Sequence, residues 1–288
     1  MVSRACVASV LVFVVLVLGP AGCKPPSAGR GGPGEDNGQP DTPPGARTPA
    51  PAESSGGPAA DTITLAVGLT VEPYVIKPEA PEDGRSGFEV DIVREALALK
   101  GYTAAFVFEP LQRTKSSFQQ GRTDAVMTIK EDYPEIQGAF LSNEYIVYHN
   151  LAVTLESRNW AIDTIADLQD KSVIAYQQAS IALGDAFGAM ARKNPHYSEM
   201  ADQEKQIAMF FLGRVDAIVL DIHIFKYYRR RLPNVPTERA VVFHELFDES
   251  RYRIAFKDAG ARDAFNSGLK ALRASGRYQE IIDSYIAE

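Results

Sequence analysis

Two segments of the sequence, residues 118–127 and 210–221, repeat the pattern F-x-x-G-R-x-D-A followed by an apolar run. Glycine adopts the left-handed conformation that ends a helix, so this pattern is typical of a helix followed directly by a strand. The short apolar run suits a parallel strand that is covered on both faces. The two copies are spaced about one small α/β lobe apart. The repeat therefore predicts two α/β lobes of similar design.

Charge and cysteine content exclude several classes of function. The net charge of −7 argues against nucleic-acid binding, which relies on basic patches that neutralise phosphates. The two cysteines, Cys6 and Cys23, lie near the N-terminus, so the folded part is expected to have no disulfide and no cysteine-based zinc site. The four histidines are isolated from one another and show no metal-ligand spacing. We expect no metal, no cofactor and no catalytic set.

The first 22 residues are typical of an export signal. Arg4 supplies a short basic start, and the apolar core at 7–18 is shorter than the ~20 residues of a membrane-spanning helix. Residues 21–23 (Ala-Gly-Cys) resemble the lipobox of bacterial lipoproteins, although Pro20 stands where that motif usually has leucine. The sequence therefore predicts a lipoprotein that is acylated at Cys23. The alternative is a plain secretory signal without a lipid.

Residues 23–61 consist largely of Pro, Gly, Ala and Ser. A segment with so few large apolar residues does not offset the entropy of ordering, so we predict a disordered tether. In polyproline form, at ~3 Å per residue, the tether would reach roughly 100 Å. We therefore expect an exported protein, in the periplasm or at the cell surface, whose folded part stands away from a membrane.

The folded part begins near residue 62, and strands alternate with helices in its first half. Strands are predicted over 62–68, 103–108 and 124–129, and helices over 88–99 and 111–120. This β-α-β-α-β order indicates a parallel sheet with helices on its faces.

The second half continues the alternation. A long strand over 146–155 is expected to pass between the lobes, Asp163 is expected to cap a short helix, and a strand over 252–256 is expected to return the chain to the first lobe. The other predicted elements are strands at 173–176 and 215–220 and helices at 179–193, 202–212, 222–231, 261–274 and 277–286.

Several short segments occur in a characteristic order: Gly-Phe-Glu-Val-Asp at 87–91, 121–127, Leu-Ser-Asn-Glu-Tyr at 141–145, 167–168, 213–221 and Gly-Arg-Tyr at 276–278. In this order they resemble the family 3 extracellular solute-binding proteins. The resemblance covers residues 62–288 and implies the α/β type II periplasmic-binding-protein fold, in which each of two lobes is a mixed sheet with helices on both faces. We expect lobe 1 over 62–152, lobe 2 over 153–245 and a return to lobe 1 over 246–288.

The resemblance also implies a function, that of the substrate-binding lipoprotein of an ABC importer. The chain would bind a small polar solute, amino-acid-like or a related amine or carboxylate, by closing its two lobes. Its partners would be this solute and an ABC permease in the membrane, and it would act as a monomer.

Two alternatives remain, because fold alone does not fix function. One is a dehydratase-like enzyme in the same cleft, for which Glu72, Glu144 and Asp221 are the carboxylates that could act. The other is a sensing lipoprotein that reports ligand to a partner other than a permease.

Candidate ligand-binding residues follow the predicted strands, because ligands of open α/β lobes collect at the carboxyl ends of strands and at helix N-termini. They are Tyr74 after the first strand, Thr128 and Lys130 after the third, Gln177, Gln178 and Ala179 between a strand and a helix, and Asp221 after the second repeat. The respective alternatives are a core aromatic, a simple strand end, a capped helix start and a helix N-cap. In the amino-acid-binding relatives, the residue that matches Asp221 takes the ammonium group of the ligand.

One departure from the family pattern bears on the ligand. Amino-acid binders carry T-x-T-x-x-R after the third strand, and that arginine clamps the α-carboxylate of the ligand bidentately. Residues 128–136 contain no arginine here. Arg113, unless it is an ordinary solvated helix charge, and more weakly Lys130 are the candidate substitutes. An ordinary L-amino acid held in the ordinary way is therefore in question.

Overall fold

The computed structural model describes residues 61–68, 71–76, 86–130, 136 and 138–287, all within the compact unit Gly56–Glu288. The predicted export signal, the lipidation at Cys23 and the tether up to residue 60 lie outside the described residues. None of the described helices has the length and apolar character that a bilayer-crossing helix needs.

Strands and helices alternate through this part of the chain. The strands are β1 (Thr62–Val67), β2 (Thr103–Phe108), β3 (Ala125–Ile129), β4 (Phe140–Leu141), β5 (Ile146–Tyr148), β6 (Asn150–Leu155), β7 (Val173–Tyr176), β8 (Tyr197–Met200), β9 (Ala217–Asp221), β10 (Val241–His244) and β11 (Ser250–Phe256). The helices are α1 (Phe88–Ala98), α2 (Leu111–Gln119), α3 (Ala179–Ala182), α4 (Gly184–Lys193), α5 (Gln203–Phe211), α6 (Ile222–Arg229), α7 (Ala259–Ser275) and α8 (Arg277–Ile286).

The strands form two mixed sheets of matching design. The first has the order β2-β1-β3-β11-β4, and β5 also pairs with β11. The second has the order β8-β7-β9-β6-β10. In each sheet three parallel strands are followed by an antiparallel one, β11 in the first sheet and β6 in the second. This arrangement confirms the predicted class of two α/β lobes.

Alternating side chains of each sheet pack against helices on opposite faces. In the first sheet, Leu65 and Met127 join the core that α1, α7 and α8 cover, whereas Ala66 and Val126 face Phe118 of α2. In the second sheet, Ile218 joins the core of α5 and α6, and Val219 faces Phe187 of α4. Burial on both faces explains why these strands read as continuous apolar runs.

Helices α1 and α7 approach each other closely in the first lobe. The closest point is Gly268, where an added Cβ atom would lie 1.9 Å from the carbonyl oxygen of Ala96. Only glycine leaves room for this backbone contact.

Both repeats fold as a helix, a glycine and a strand. Gly121 and Gly213 end α2 and α5 with φ of 75° and 72°, the left-handed conformation expected of a C′ glycine. The next residues close each helix in the same way, because Arg122 donates its N–H to Ser117 O (2.9 Å) and Arg214 donates to Met209 O (3.0 Å).

The aspartates of the repeats make matching contacts. Asp124 accepts hydrogen bonds from the backbone N–H (2.8 Å) and hydroxyl (2.5 Å) of Thr64 in β1. Asp216 accepts the same pair from Ser172, immediately before β7 (2.9 and 2.7 Å). In each lobe the aspartate before the third parallel strand thus joins it to the start of the first.

The predicted strand 146–155 is divided between the two sheets. Tyr148 ends β5, which pairs with β11 in the first sheet, and Asn150 begins β6, which pairs with β9 in the second. The run passes between the lobes as expected, with a break at His149.

Two local predictions were wrong. The predicted helix 179–193 is broken into α3 and α4 at Gly184, whose φ is 85°. The short helix at Ile165–Leu168 is capped by Thr164 and not by Asp163, because Thr164 and Asp167 form a reciprocal capping box.

Strands β4, β8 and β10 were not predicted. β8 has the polar sequence Tyr-Ser-Glu-Met and lies at the edge of its sheet, paired only with β7. β10 is the opposite edge, paired only with β6. β8 therefore lacks the apolar signal of a central strand, whereas β4 and β10 are apolar but only two and four residues long.

Candidate ligand-binding cleft

A cavity of about 370 Å³ lies between the two sheets. Its walls include the carboxyl ends of β7 and β9, the residue after β3, the β5–β6 crossover and the start of β11. The lining residues are Val71, Lys130, Tyr148, Asn150, Tyr176, Gln177, Ala182, Ala201, Gln203, Asp221, Ile224, Ser250 and Tyr252. Both lobes contribute to the lining, which is the arrangement expected of a ligand site at strand ends.

Asp221 places a buried carboxylate in the cavity wall and also caps α6. It is 1% exposed. One carboxylate oxygen accepts hydrogen bonds from the N–H groups of His223 (2.8 Å) and Ile224 (3.2 Å), and the other accepts from His149 N–H (2.7 Å). Burial raises the pKa of Asp221 to about 6, although these hydrogen bonds act in the opposite direction. Asp221 is therefore both the N-cap of α6 and a lining residue of the cavity.

Tyr74 lies one layer behind the cavity. Its ring is fully buried and stacks on Tyr148, with ring centroids 3.9 Å apart and planes 9° apart. Its hydroxyl lies 3.2 Å from Val147 O and 3.0 Å from His223 Nδ1. Tyr74 therefore supports the lining residue Tyr148 from behind and is not itself among the lining residues.

Thr128 and Lys130, two residues apart, lie in different surroundings. Thr128 has a φ of 59°, and its hydroxyl donates to Glu89 Oε1 (2.7 Å) while its N–H donates to Tyr145 Oη (3.2 Å). Lys130 lines the cavity, with its Nζ 5.6 Å from the ring centroid of Tyr252. Of this pair, only Lys130 presents its side chain to the cavity.

Sequence reasoning missed Glu89, which is the partner of Thr128. Glu89 is fully buried in α1 and also accepts hydrogen bonds from the hydroxyls of Tyr145 and, at 3.5 Å, Tyr148. Burial raises the pKa of Glu89 above its usual range, against the effect of the hydrogen bonds from Tyr145, Thr128 and Tyr148. This buried cluster fixes the position of Tyr148 beside the cavity.

The segment between β7 and α3 is already paired with an acidic side chain. Gln177 lines the cavity. The N–H of Gln178 donates to Glu199 Oε2 (2.6 Å) and the N–H of Ser180 donates to Glu199 Oε1 (2.9 Å). Ala179, between them, is fully buried. The backbone amides at this predicted helix start therefore hold the carboxylate of Glu199.

Arg113 lies on α2, is exposed and is not among the lining residues. Of the eight predicted residues, Lys130, Gln177 and Asp221 line the cavity, while Tyr74, Thr128, Gln178 and Ala179, like Arg113, do not. The lining residues that sequence reasoning missed include Tyr148, Tyr176, Gln203 and Tyr252. Tyr176 ends a strand and Gln203 begins a helix. Because the candidate residues were chosen at strand ends and helix starts, the same criterion could have identified these two.

The described residues contain no cluster of His, Cys, Asp and Glu that could hold a metal ion. Glu144 and Glu72, the other carboxylates considered for an enzyme, have neighbours of their own. Glu144 forms ion pairs with Arg251 (3.2 Å) and Arg253 (3.4 Å), and Glu72 accepts a hydrogen bond from Tyr228 (3.3 Å).

Two similar α/β lobes with a cavity between them define the class of type II periplasmic binding proteins. The model of the bacterial extracellular solute-binding proteins, family 3, matches residues 63–288, and the chain belongs to this family. At the level of the family, it is a solute-binding protein. No curated protein matches the chain.

Solved structures share the fold at low sequence identity. A polar amino acid ABC uptake transporter substrate binding protein from Streptococcus thermophilus is 18% identical, with a TM-score of 0.61 over 79% of this chain and 86% of that chain. An ancestral arginine-binding protein bound to glutamine is 23% identical, with a TM-score of 0.53 over 79% and 98% of the two chains. A histidine kinase sensor domain is 17% identical, with a TM-score of 0.56 over 80% and 97%.

Proposed function

We propose that the chain is the substrate-binding component of an ABC importer that captures a small, amine-bearing polar solute. It is exported, anchored to a membrane through Cys23 and passes its solute to an ABC permease. The observation that carries this proposal is the cavity between the lobes, with the buried carboxylate of Asp221 in its wall. A carboxylate at a strand end is suited to a ligand ammonium group, through a charge-assisted hydrogen bond.

Binding works by closure of the two lobes. Tyr252 lies in the first sheet and Lys130 follows one of its strands, whereas Asp221 lies in the second sheet and Gln177 follows one of its strands. One ligand in the cavity therefore contacts both lobes. Some contacts with the ligand form only when the lobes are closed, so the ligand binds the closed state more tightly than the open one. This difference in ligand affinity stabilises the closed state. The permease then recognises the closed form.

Structural neighbours support the class of solute. The proteins with this fold include a polar amino acid uptake binding protein and an arginine-binding protein. The names of these proteins point to amino acids, whose ammonium group suits the buried carboxylate of Asp221.

A thermal-shift screen of the purified chain against amino acids, amines and organic acids tests the solute class. An amine-bearing ligand at a hundred times its Kd should add about 2.7 kcal/mol to the free energy of unfolding. Asp221→Asn should weaken its binding roughly 10- to 100-fold, because a charge-assisted bond contributes about 1.5–3 kcal/mol and asparagine keeps the helix cap.

The matched control is Asp258→Asn, which changes the aspartate that caps α7 through Ala261 N–H (2.7 Å). It should leave the affinity unchanged. Equal affinities of the wild type and Asp221→Asn would contradict the assignment of the ammonium site.

Transport coupling needs a separate measurement, because the fold also occurs in a histidine kinase sensor domain. The ligand-loaded protein should stimulate ATP hydrolysis by its permease in vesicles, and the ligand-free protein should do so less. A receptor that binds ligand with no effect on any permease would be a sensor.

A further inference from the structure

The carboxylate of Glu199 occupies the backbone donors that follow the cavity-lining Gln177 in the second lobe. It accepts the N–H groups of Gln178 and Ser180 at 2.6 and 2.9 Å, and the hydroxyl of Tyr197 at 2.8 Å. Although partial burial acts against it, these hydrogen bonds hold the pKa of Glu199 below its usual value, so it is ionised at neutral pH. A second carboxylate at these two amides would meet a like charge in place of free donors.

The cleft also carries more acidic than basic side chains. A second cavity of about 270 Å³ shares Val71, Ala201 and Gln203 with the first, and its lining adds Glu72, Asp202 and Glu204. Among the described residues that line either cavity, Lys130 is the only cation. Four carboxylates, counting Asp221, therefore face one ammonium group, and such an excess of one sign favours a ligand of the opposite sign.

Three aromatic side chains contribute to the lining of the main cavity. Tyr148, Tyr176 and Tyr252 all line it. Aromatic faces attract ammonium groups and also pack against methylene chains. Lys130 already shows such a contact, because its ammonium group lies over the ring of Tyr252 at 5.6 Å.

On this basis we infer that the solute is a linear amine with two or more positive charges and no carboxylate, such as a diamine or a short polyamine. One ammonium group binds at Asp221, the methylene chain lies along the three tyrosines, and the second cationic group points toward the acidic second cavity. Glu199 is the residue that selects against carboxylates. The inference deepens the proposed function and rests on it, since it names the solute class of the same cleft.

Matched pairs of ligands that differ only in the carboxylate test this inference. The pairs are putrescine and ornithine, cadaverine and lysine, and agmatine and arginine, each titrated calorimetrically into the full chain. We expect the decarboxylated amine to bind at least tenfold more tightly than its amino acid in each pair that binds.

Two other outcomes are informative. Equal or tighter binding of the amino acid in any pair overturns the inference, assigns the carboxylate to Lys130 and leaves the proposed function standing. Absence of binding by all six compounds overturns the inference and the proposed amine-bearing solute together.

A variant tests Glu199 directly. Glu199→Ala frees the N–H groups of Gln178 and Ser180 and removes one negative charge, so the preference for the amine should fall at least tenfold. Glu238→Ala removes another exposed charge of the same lobe, and it should leave the preference unchanged. If Glu199→Ala does not fold, Glu199→Gln should show a smaller fall in the same direction. An unchanged preference in a folded Glu199 variant overturns the selective role of Glu199.

Discussion

At the scale of single residues, the carboxylate of Asp221 combines two tasks that are usually separate. It satisfies the first N–H groups of α6 and His149 N–H, and it faces the cavity while almost entirely buried. Burial favours the neutral acid, and an arriving ammonium group favours the ionised form. Ligand binding and proton release are therefore linked at this residue.

This linkage predicts a pH-dependent affinity. Because burial raises the pKa of Asp221 to about 6, the free protein is increasingly protonated there below that pH. The affinity for an amine-bearing ligand should be highest above pH 6 and should fall about tenfold per pH unit well below it. Titration calorimetry between pH 4.5 and 8 measures this dependence. Asp221→Asn should bind weakly with no such step, and a step of equal size in that variant would assign the titration to another group.

Sequence reasoning located the cavity-lining residues whose signal is local. Lys130 and Gln177 follow apolar strands, Asp221 ends one, and all three line the cavity. The contacts of Glu89 with Thr128 and of Glu199 with Gln178 join residues that are distant in the chain. Such pairs cannot be predicted from a local sequence pattern, because they depend on which strands and helices become neighbours in the fold. The absence of an arginine after β3 is visible in the sequence, but the hydrogen bonds of Glu199 with Gln178 and Ser180 are not.

At the scale of elements, amphipathic helices and strands with a clear apolar or alternating pattern were predictable, and the polar edge strand β8 was not. β2, β7 and α8 have the predicted bounds, because each has a strong period or a continuous apolar run. β8 is polar and pairs with β7 alone. This pairing stabilises the strand, whereas its sequence has no pattern that predicts one. The break at Gly184 results from its left-handed backbone conformation. The side-chain pattern of residues 179–193 is helical on both sides of it, so the break was not predicted.

The contact between α1 and α7 gives a prediction at this scale. Gly268→Ala would place a methyl group 1.9 Å from Ala96 O, so the two helices must separate. We expect a loss of about 2–3 kcal/mol in the free energy of unfolding, measured by urea denaturation.

Ser267→Ala is the matched control, since Ser267 is the exposed neighbour on the same helix. It should change the free energy of unfolding by less than about 0.5 kcal/mol. A Gly268→Ala protein as stable as the wild type would mean that the helices adjust freely at this contact.

At the scale of the whole molecule, the two lobes share one design and differ in how the chain supplies their strands. Both sheets place three parallel strands beside an antiparallel one, and both use a glycine-ended helix before the third parallel strand. The repeat in the sequence indicated this similarity. The shape of the cavity depends on side chains from both lobes, so it could not be read from either repeat alone.

Closure predicts a change in distance between the lobes. Leu111 follows the carboxyl end of β2 in the first lobe, and Ile181 lies after β7 in the second; both are exposed. Spin labels at Leu111→Cys and Ile181→Cys, in a chain whose native Cys6 and Cys23 are replaced by serine, should move closer when ligand is added. Double electron–electron resonance measures this distance.

The control pair is Leu111→Cys with Lys100→Cys, both in the first lobe, whose distance should stay constant. An unchanged distance between Leu111 and Ile181 at saturating ligand would show that binding proceeds without closure.

The return of β11 to the first sheet has a consequence for the order in which the chain matures. β11 is the strand that joins β3 to β4 and β5, and it comes after the whole second sheet in the chain. As the polypeptide emerges from its N-terminal end, the second sheet has all its strands before the first sheet can be completed. The first lobe cannot be completed until β11 has been synthesised, because the contacts of β11 with β3, β4 and β5 join residues that are far apart in the sequence. This two-lobed solute-binding protein is thus built from one lobe that matures as an uninterrupted segment and one that is finished last.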